Sequence, residues 1–381
     1  MRPPFCVLNN ITHLLASELG VRPQQVQSAV DLLDGGATVP FIARYRKEAT
    51  DGLDDTQLRT LEVRLAYVRE LEQRRAAVLE SIASQGRLDA ALRAAILAAI
   101  TKQELEDLYL PFKPRRRTKG MAAREAGLEP LADSLFADAG LEPRAEAAAF
   151  IRAEAGFADI DAVLDVVRDI LSERWADDAA LLGLLREWLW ADGQLQSKLV
   201  AGKDGTAADA AKFRDYFDYA EPINRVPSYR ALAVFRGRVL EFLDARLVLD
   251  EDAIPGRPGL AEGRIARHLG WQHRQRPGDE LMRRAVAWTW KVKLSLSLER
   301  DLFARLREGA EAVAIKVFAD NLRDLLLAAP AGRHIVLGLD PGIRTGVKVA
   351  VVSDTGKVLD TATVFPHEPR RDVEGALAVL S

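Results

Sequence analysis

The sequence predicts a mainly α-helical protein that ends in the first strands of an α/β domain. Between residues 11 and 217, alanine, leucine, glutamate and arginine dominate, and apolar residues recur at intervals of three and four, as on one face of an α-helix. Residues 279–329 contain no proline and a single glycine, Gly309, which favours one long helix connecting modules, with a break near the glycine as the alternative. From His334 onward, short apolar runs separated by turn residues indicate β-strands.

The composition is that of an ordinary globular chain. Its 381 residues suffice for two or three domains. The 53 basic residues nearly balance the 56 acidic ones, so any affinity for nucleic acid must come from local patches rather than from the field of the whole molecule. The single cysteine, Cys6, excludes an intrachain disulfide and favours a reducing compartment, and no run approaches the roughly 20 apolar residues of a membrane span. We therefore expect a cytoplasmic protein without a membrane partner.

Clusters of proline and glycine divide the helical part. The clearest helix covers residues 58–85, where Asp54 or Asp55 can cap the start and Gly86 can end the last turn. Shorter helices follow. Prolines and glycines become denser between residues 222 and 278, which predicts a second, less regular helical region that joins the parts before and after it.

The C-terminal residues predict three strands in a meander. Residues 335–340 and 347–354 are apolar runs separated by a loop, a turn at Thr355 and Gly356 follows, and residues 357–364 continue the pattern. From Arg370 the spacing becomes helical again. A sheet of three strands with one incomplete helix would leave an apolar face open, so we expect this chain to be a fragment, or a truncated gene product, of something longer.

Asp340, at the end of the first of these strands, is the one candidate for chemistry. A carboxylate that follows a strand and precedes Pro-Gly is how ribonuclease H-like nucleases begin, and there several acidic residues gather two Mg²⁺ ions. One carboxylate cannot do this. The competing interpretation, which the bare residues favour, is that Asp340 forms a turn.

A basic loop, residues 113–124, is the candidate for binding nucleic acid. It contains no acidic residue and six basic ones: Lys113, Arg115, Arg116, Arg117, Lys119 and Arg124. Arginine and lysine contact phosphates, and the nearby Tyr109 and Phe112 could stack on bases. A solvated, charge-rich loop without a specific role is an equally good interpretation.

Four stretches together resemble the bacterial Tex transcription accessory family. They are residues 36–48 (GATVPFIARYRKE), 53–59 (LDDTQLR), 104–113 (ELEDLYLPFK) and 338–349 (GLDPGIRTGVKV). The matches spread over nearly the whole chain. A lone Asp-Pro-Gly motif would not have justified the comparison.

The resemblance implies a domain order that the residue patterns alone do not. It places a helical N-terminal domain with a helix-turn-helix in residues 1–220, a central helical region with a long spine helix in 221–332, and the start of a YqgF-type ribonuclease H-like domain in 333–381. Helix-hairpin-helix motifs and an OB-fold complete the family's longer chains. Asp340 falls on the family's first-strand acidic position. Because the family is not generally regarded as an active nuclease, the resemblance makes Asp340 a candidate metal or nucleic-acid contact only. Arg344, in the next loop, is a further candidate nucleic-acid contact.

Three hypotheses follow. The leading one is a non-enzymatic, nucleic-acid-binding transcription accessory protein whose partners are RNA, DNA and the transcription machinery. The rivals are a Mg²⁺-dependent nuclease or junction resolvase built on Asp340, and a protein-interaction scaffold. Because nucleotide-binding, zinc-protease and serine-hydrolase motifs are all missing from the sequence, we expect neither a cofactor nor a small-molecule substrate.

Overall fold

A computed structural model of the chain describes residues 5–114, 117–153, 156–206, 208–249, 259–329, 332–342 and 345–381. The chain divides into two compact units, Met1–Ala310 and Glu311–Ser381. The α-helices are α1 (Phe5–Leu19), α2 (Pro23–Asp34), α3 (Val39–Tyr45), α4 (Asp55–Ser84), α5 (Ala90–Ala98), α6 (Lys102–Tyr109), α7 (Lys119–Glu125), α8 (Glu129–Ala137), α9 (Pro143–Ala148), α10 (Ile160–Ala176), α11 (Ala179–Asp192), α12 (Ala208–Ala211), α13 (Ser228–Val239), α14 (Leu260–His268), α15 (Asp279–Trp288), α16 (Ser295–Leu326) and α17 (Val373–Leu380). The strands are β1 (Gln194–Leu199), β2 (Asp218–Pro222), β3 (Leu243–Val248), β4 (Val336–Asp340), β5 (Val347–Val352) and β6 (Val358–Val364). The mainly helical fold class is confirmed.

Helix α4 begins and ends where its local sequence signals place it. The Asp54 carboxylate accepts a hydrogen bond from the Gln57 backbone N–H at 2.7 Å, and the Gln57 side chain accepts one from the Asp54 N–H at 3.0 Å. This reciprocal pair satisfies two donors that the first helical turn leaves free. At the other end, Gly86 has a φ of +67°, a left-handed conformation that glycine adopts at no steric cost.

Two separate small cores lie along α4. Its first half packs against α1, α2 and α3 through Leu58, Leu61, Leu65 and Val68. Its second half packs against α5 and α6 through Leu71, Val78 and Ile82. The spacing of three and four residues keeps these side chains on one face of the helix. The helix-turn-helix that the family resemblance implies in this region stays a prediction.

A three-stranded antiparallel sheet corrects the expectation of helices alone between residues 194 and 248. The strand order is β2-β1-β3, with Leu195 opposite Leu247 and Ser197 opposite Ala245. Leu195, Ser197 and Ala245 are buried, so one face of the sheet joins the largest core of the first unit. The prediction was wrong because pairing between strands far apart in sequence overrode the local helical composition.

The long helical segment is confirmed, with one irregularity. α15 continues through a π-helical segment, Thr289–Leu294, into α16, and α16 passes Gly309 without a break. Thr289 is fully buried, and its hydroxyl donates a hydrogen bond to the Ala285 carbonyl at 2.8 Å. A side chain that bonds into the backbone ladder in this way loosens the helix locally. Of all the helices in the described part, none is long and apolar enough to cross a membrane.

The second unit contains the predicted meander. β4, β5 and β6 pair antiparallel in that order, close to the predicted bounds, and α17 follows them. α17 covers the face of the sheet that carries Val347, Val349 and Val364, where Ala376 completes a small core. Because neighbouring residues of a strand point to opposite faces, Lys348 lies on the other face.

Candidate nucleic-acid interface

The second half of the basic loop is fixed to α10. The Thr118 hydroxyl accepts a hydrogen bond from the Met121 backbone N–H at 3.1 Å and so caps α7. The same hydroxyl donates to the Glu173 carboxylate at 2.8 Å. Gly120 allows this close approach, since a Cβ atom there would come within 2.3 Å of a Glu173 oxygen. The backbone that carries Arg117 and Lys119 is therefore held in place from inside the fold.

The cations of the basic loop divide into exposed and structural ones. Lys113, Arg117 and Lys119 are exposed. The Lys113 ammonium lies 3.8 Å from Glu106, and Arg117 pairs with Glu125 with both side chains at least 60% exposed, so water screens both contacts. Lys113 and Arg117 can therefore exchange a carboxylate partner for a phosphate at small cost.

Arg124, by contrast, stabilises the fold. Its side chain is 29% exposed, its guanidinium donates to the Ile170 carbonyl at 3.3 Å, and its Nε lies 3.6 Å from Glu129. Arg124 therefore holds α7 on α10 and leaves little of its charge free for a ligand. Arg115, Arg116 and Arg344 lie outside the described residues.

The two aromatic residues next to the basic loop make contacts within the fold. Tyr109 is buried in the core beneath α4, and its hydroxyl lies 2.9 Å from the Ser81 hydroxyl. One face of Phe112 is covered by the guanidinium of Arg87, whose carbon lies 4.6 Å from the ring centroid. The expectation that these two rings stack on bases is wrong for Tyr109, because its ring fills the core.

Asp340 lies at the end of β4 on the face of the sheet opposite α17. Its side chain is 77% exposed, and the Lys348 ammonium on the neighbouring strand lies 3.9 Å away. Thr363 continues the same row on β6, and an open groove of about 610 Å³ runs along this face. Among the described residues, there is no group of three or more metal-ligating side chains, either around Asp340 or anywhere else. The described part of this face thus presents an exposed carboxylate next to an exposed ammonium.

A buried ion cluster that the sequence did not reveal joins three helices of the first unit. Arg186 on α11 donates to both oxygens of Asp107 on α6, at 2.7 and 3.1 Å, and to Asp301 on α16 at 3.3 Å. Burial alone would lower the pKa of Arg186, but its bonds to the two carboxylates outweigh this and raise it. Nothing local in the sequence could identify the cluster, because its members lie 79 and 115 residues apart.

Three family models match successive parts of the chain. The Tex-like protein N-terminal domain covers residues 9–83, the Tex central region-like model covers 138–318, and the Tex protein YqgF-like domain covers 334–381. The first model covers the first N-terminal core, the second covers the three-stranded sheet and most of the large helical core, and the third covers the C-terminal meander. Residues 84–137, which supply part of the second N-terminal core, lie between the first two models.

Curated relatives agree with these models. Protein tex of Bordetella pertussis is 56% identical over 372 residues, which cover 96% of this chain and 47% of the relative. Transcriptional accessory protein Tex of Neisseria gonorrhoeae is 51% identical over 94% of this chain and 46% of its own length. A human relative, S1 RNA-binding domain-containing protein 1, is 27% identical over 94% of this chain and 36% of its own length.

The fold and the models define a multidomain, mainly helical chain whose residues 334–381 match a YqgF-like domain. The chain belongs to the Tex family. It spans about half the length of the bacterial relatives it matches.

Proposed function

We propose that this chain is a nucleic-acid-binding transcription accessory protein that binds RNA, and also DNA, in association with the transcription machinery. Two relatives support the class: one is called a transcriptional accessory protein and another an S1 RNA-binding domain-containing protein. The observation that carries the proposal to this chain is the basic loop, which presents exposed cations on a backbone held against α10.

The anchoring of the basic loop matters energetically. Phosphate contacts give most of the affinity of a sequence-independent nucleic-acid surface. A loop that had to become ordered on binding would lose part of that energy to conformational entropy. Because Thr118 and Arg124 already hold the loop, Arg117 and Lys119 can bind phosphates with only their own side chains to order.

We propose binding rather than catalysis at Asp340. The Lys348 ammonium, 3.9 Å from the Asp340 carboxylate, repels a second cation, which opposes the capture of Mg²⁺. Mg²⁺-dependent cleavage of RNA or DNA by this chain, abolished by Asp340→Asn, would contradict this part of the proposal.

Replacing Lys113, Arg117 and Lys119 together by alanine tests the basic loop. If each side chain releases a counterion from a phosphate, the slope of log affinity against log salt for single-stranded RNA should become shallower by about 0.7 per contact, or about 2 in total. Fluorescence anisotropy of a labelled oligouridylate over a series of salt concentrations measures the slope.

A matched variant controls for the loss of charge. Lys316, Arg323 and Lys357 are exposed cations of the second unit, and replacing all three by alanine changes the net charge by the same amount. We expect this control to keep the slope of the unmodified chain. Equal slopes for the loop variant and the unmodified chain would exclude the basic loop as the binding surface.

A further inference from the structure

Helix α3 presents two aromatic rings to solvent. Val39 and Ile42 point into the first small core and are 2% and 0% exposed. Phe41 and Tyr45, one helical turn apart, are 42% and 58% exposed. Burying a large ring normally stabilises a fold. Two rings left outside on one short helix therefore mark a surface that the core does not use.

The two rings form an ordered pair beside an open groove. Their centroids are 5.5 Å apart with an interplanar angle of 46°, and the Arg46 guanidinium carbon lies 5.7 Å from the Phe41 centroid. The groove has a volume of about 630 Å³ and is lined by both rings together with Arg44 and Arg59. Ring pairs in this arrangement leave faces on which a planar group can stack.

The cations next to the two aromatic rings differ in ion pairing from the arginines of α4. On α4 the neighbouring arginines are paired: Arg59 with Asp55, Arg64 with Glu18 and Arg69 with Asp34.

Arg44, Arg46 and Lys47 differ from them. All three are exposed, and none forms an ion pair with another residue in the described part of the chain. Their positive charge is therefore available to an anionic ligand.

We propose that the α3 surface, defined as Phe41, Arg44, Tyr45, Arg46 and Lys47, binds single-stranded nucleic acid. Bases would stack on the two rings while the three cations contact the phosphates between them. Single-strand-binding proteins combine these two elements, and a duplex cannot use the rings because its bases are already stacked. This inference rests on the proposed function and deepens it by naming a second contact surface, separate from the basic loop.

The test replaces both rings, Phe41→Ala with Tyr45→Ala, in the full chain and also in the chain whose basic loop carries the three alanines. We expect affinity for a labelled oligouridylate to fall at least about tenfold in both backgrounds, because each base–ring stack contributes measurably to single-strand binding. The salt slope should stay unchanged, since no charge is removed. Arg44→Ala should instead make the slope shallower by about 0.7.

Two further variants test whether the rings themselves are needed and whether their position on α3 matters. Phe41→Leu with Tyr45→Leu keeps apolar surface but removes the rings, and it should lose about as much affinity as the alanine pair. Tyr229→Ala removes another exposed ring, 66% exposed on α13 with Arg230 beside it, and it should bind like the unmodified chain.

The failures of the two proposals can be told apart. Salt-sensitive binding by the unmodified chain with no loss in the ring variants would overturn the α3 surface and leave the proposed function standing. Unchanged affinity in the leucine pair with a loss in the alanine pair would show that apolar contact, and not stacking of bases on the rings, gives the affinity, which also overturns the proposal. No binding of single strands by the unmodified chain would overturn both.

Discussion

Replacing Arg186 by methionine is expected to lower the free energy of unfolding of the first unit by about 3–5 kcal/mol. The Arg186 side chain is 11% exposed and is bonded to Asp107, which is 9% exposed, and to Asp301. Methionine fills a similar volume but leaves the buried Asp107 carboxylate and the partly buried Asp301 carboxylate without their cation. Their desolvation is then uncompensated, which is costlier than the loss of a surface ion pair.

Urea unfolding followed by tryptophan fluorescence measures this effect. All six tryptophans lie within Met1–Ala310, so the signal follows the unit that contains the cluster. Arg144→Met is the control, because Arg144 pairs with Asp161 on the surface, with side chains 59% and 75% exposed, and should change stability little. A triple variant, Arg186→Met with Asp107→Leu and Asp301→Leu, should recover most of the lost stability, since no buried charge remains. Equal stability of Arg186→Met and the control would contradict the role of the cluster.

Replacing Asp279 by alanine is expected to cost about 3 kcal/mol at neutral pH. The Asp279 carboxylate is fully buried at the start of α15. It accepts hydrogen bonds from the Trp271 indole at 3.1 Å, from the backbone N–H groups of Arg274 and Arg276 at 2.6 and 2.9 Å, and from the Arg276 guanidinium at 2.8 Å. Its loss leaves these donors without a partner.

The same carboxylate predicts a pH dependence. Burial by itself raises the pKa of Asp279, but the hydrogen bonds from Arg276, Arg274 and Trp271 outweigh it and hold the pKa well below its ordinary value. Below about pH 3.9 an unfolded aspartate takes up a proton while the folded Asp279 stays ionised. The stabilisation is therefore complete above that pH and is lost progressively as the pH falls further.

Measuring the free energy of unfolding from pH 7 down to pH 3 tests the direction of this pH dependence. The difference in free energy of unfolding between the unmodified chain and Asp279→Ala should narrow as the pH falls below about 4. Asp192→Asn serves as the control, because that side chain is 59% exposed and its ion-pair partner, Arg264, lies 3.8 Å away. A difference that stays constant or widens in acid would contradict the assignment.

Features with a local signal were predictable from the sequence. The start of α4 depends on the capping residue Asp54 and its end on Gly86, and both residue types are local sequence signals for helix ends. The strands from 336 to 364 are short apolar runs with a turn between them, and they pair with their neighbours in sequence. In these elements propensity, turn residues and burial all favour the same structure.

Features that depend on distant pairing were not predictable. β1 and β3 are six residues each, and they are brought together across more than 40 residues of intervening chain. The cluster around Arg186 depends on contacts between α6, α11 and α16. A propensity or spacing rule contains no information on such contacts.

The candidate nucleic-acid interface contains both predictable and unpredictable features. The charge of the basic loop was visible in the sequence, whereas the division of its cations into exposed Lys119 and structural Arg124 required the fold. The aromatic residues of α3 were also visible as part of the family stretch 36–48. Only the structure shows that Val39 and Ile42 face the core while Phe41 and Tyr45 do not.

The most direct test of the account is the binding of a labelled single-stranded RNA to the unmodified chain, measured by fluorescence anisotropy across a salt series. We expect saturable binding that weakens steeply as salt rises, because exposed lysines and arginines of the basic loop and the α3 surface release counterions from the phosphates. Absence of binding even at low salt, with the chain shown to be folded by circular dichroism, would contradict the central claim that these helices carry a nucleic-acid surface.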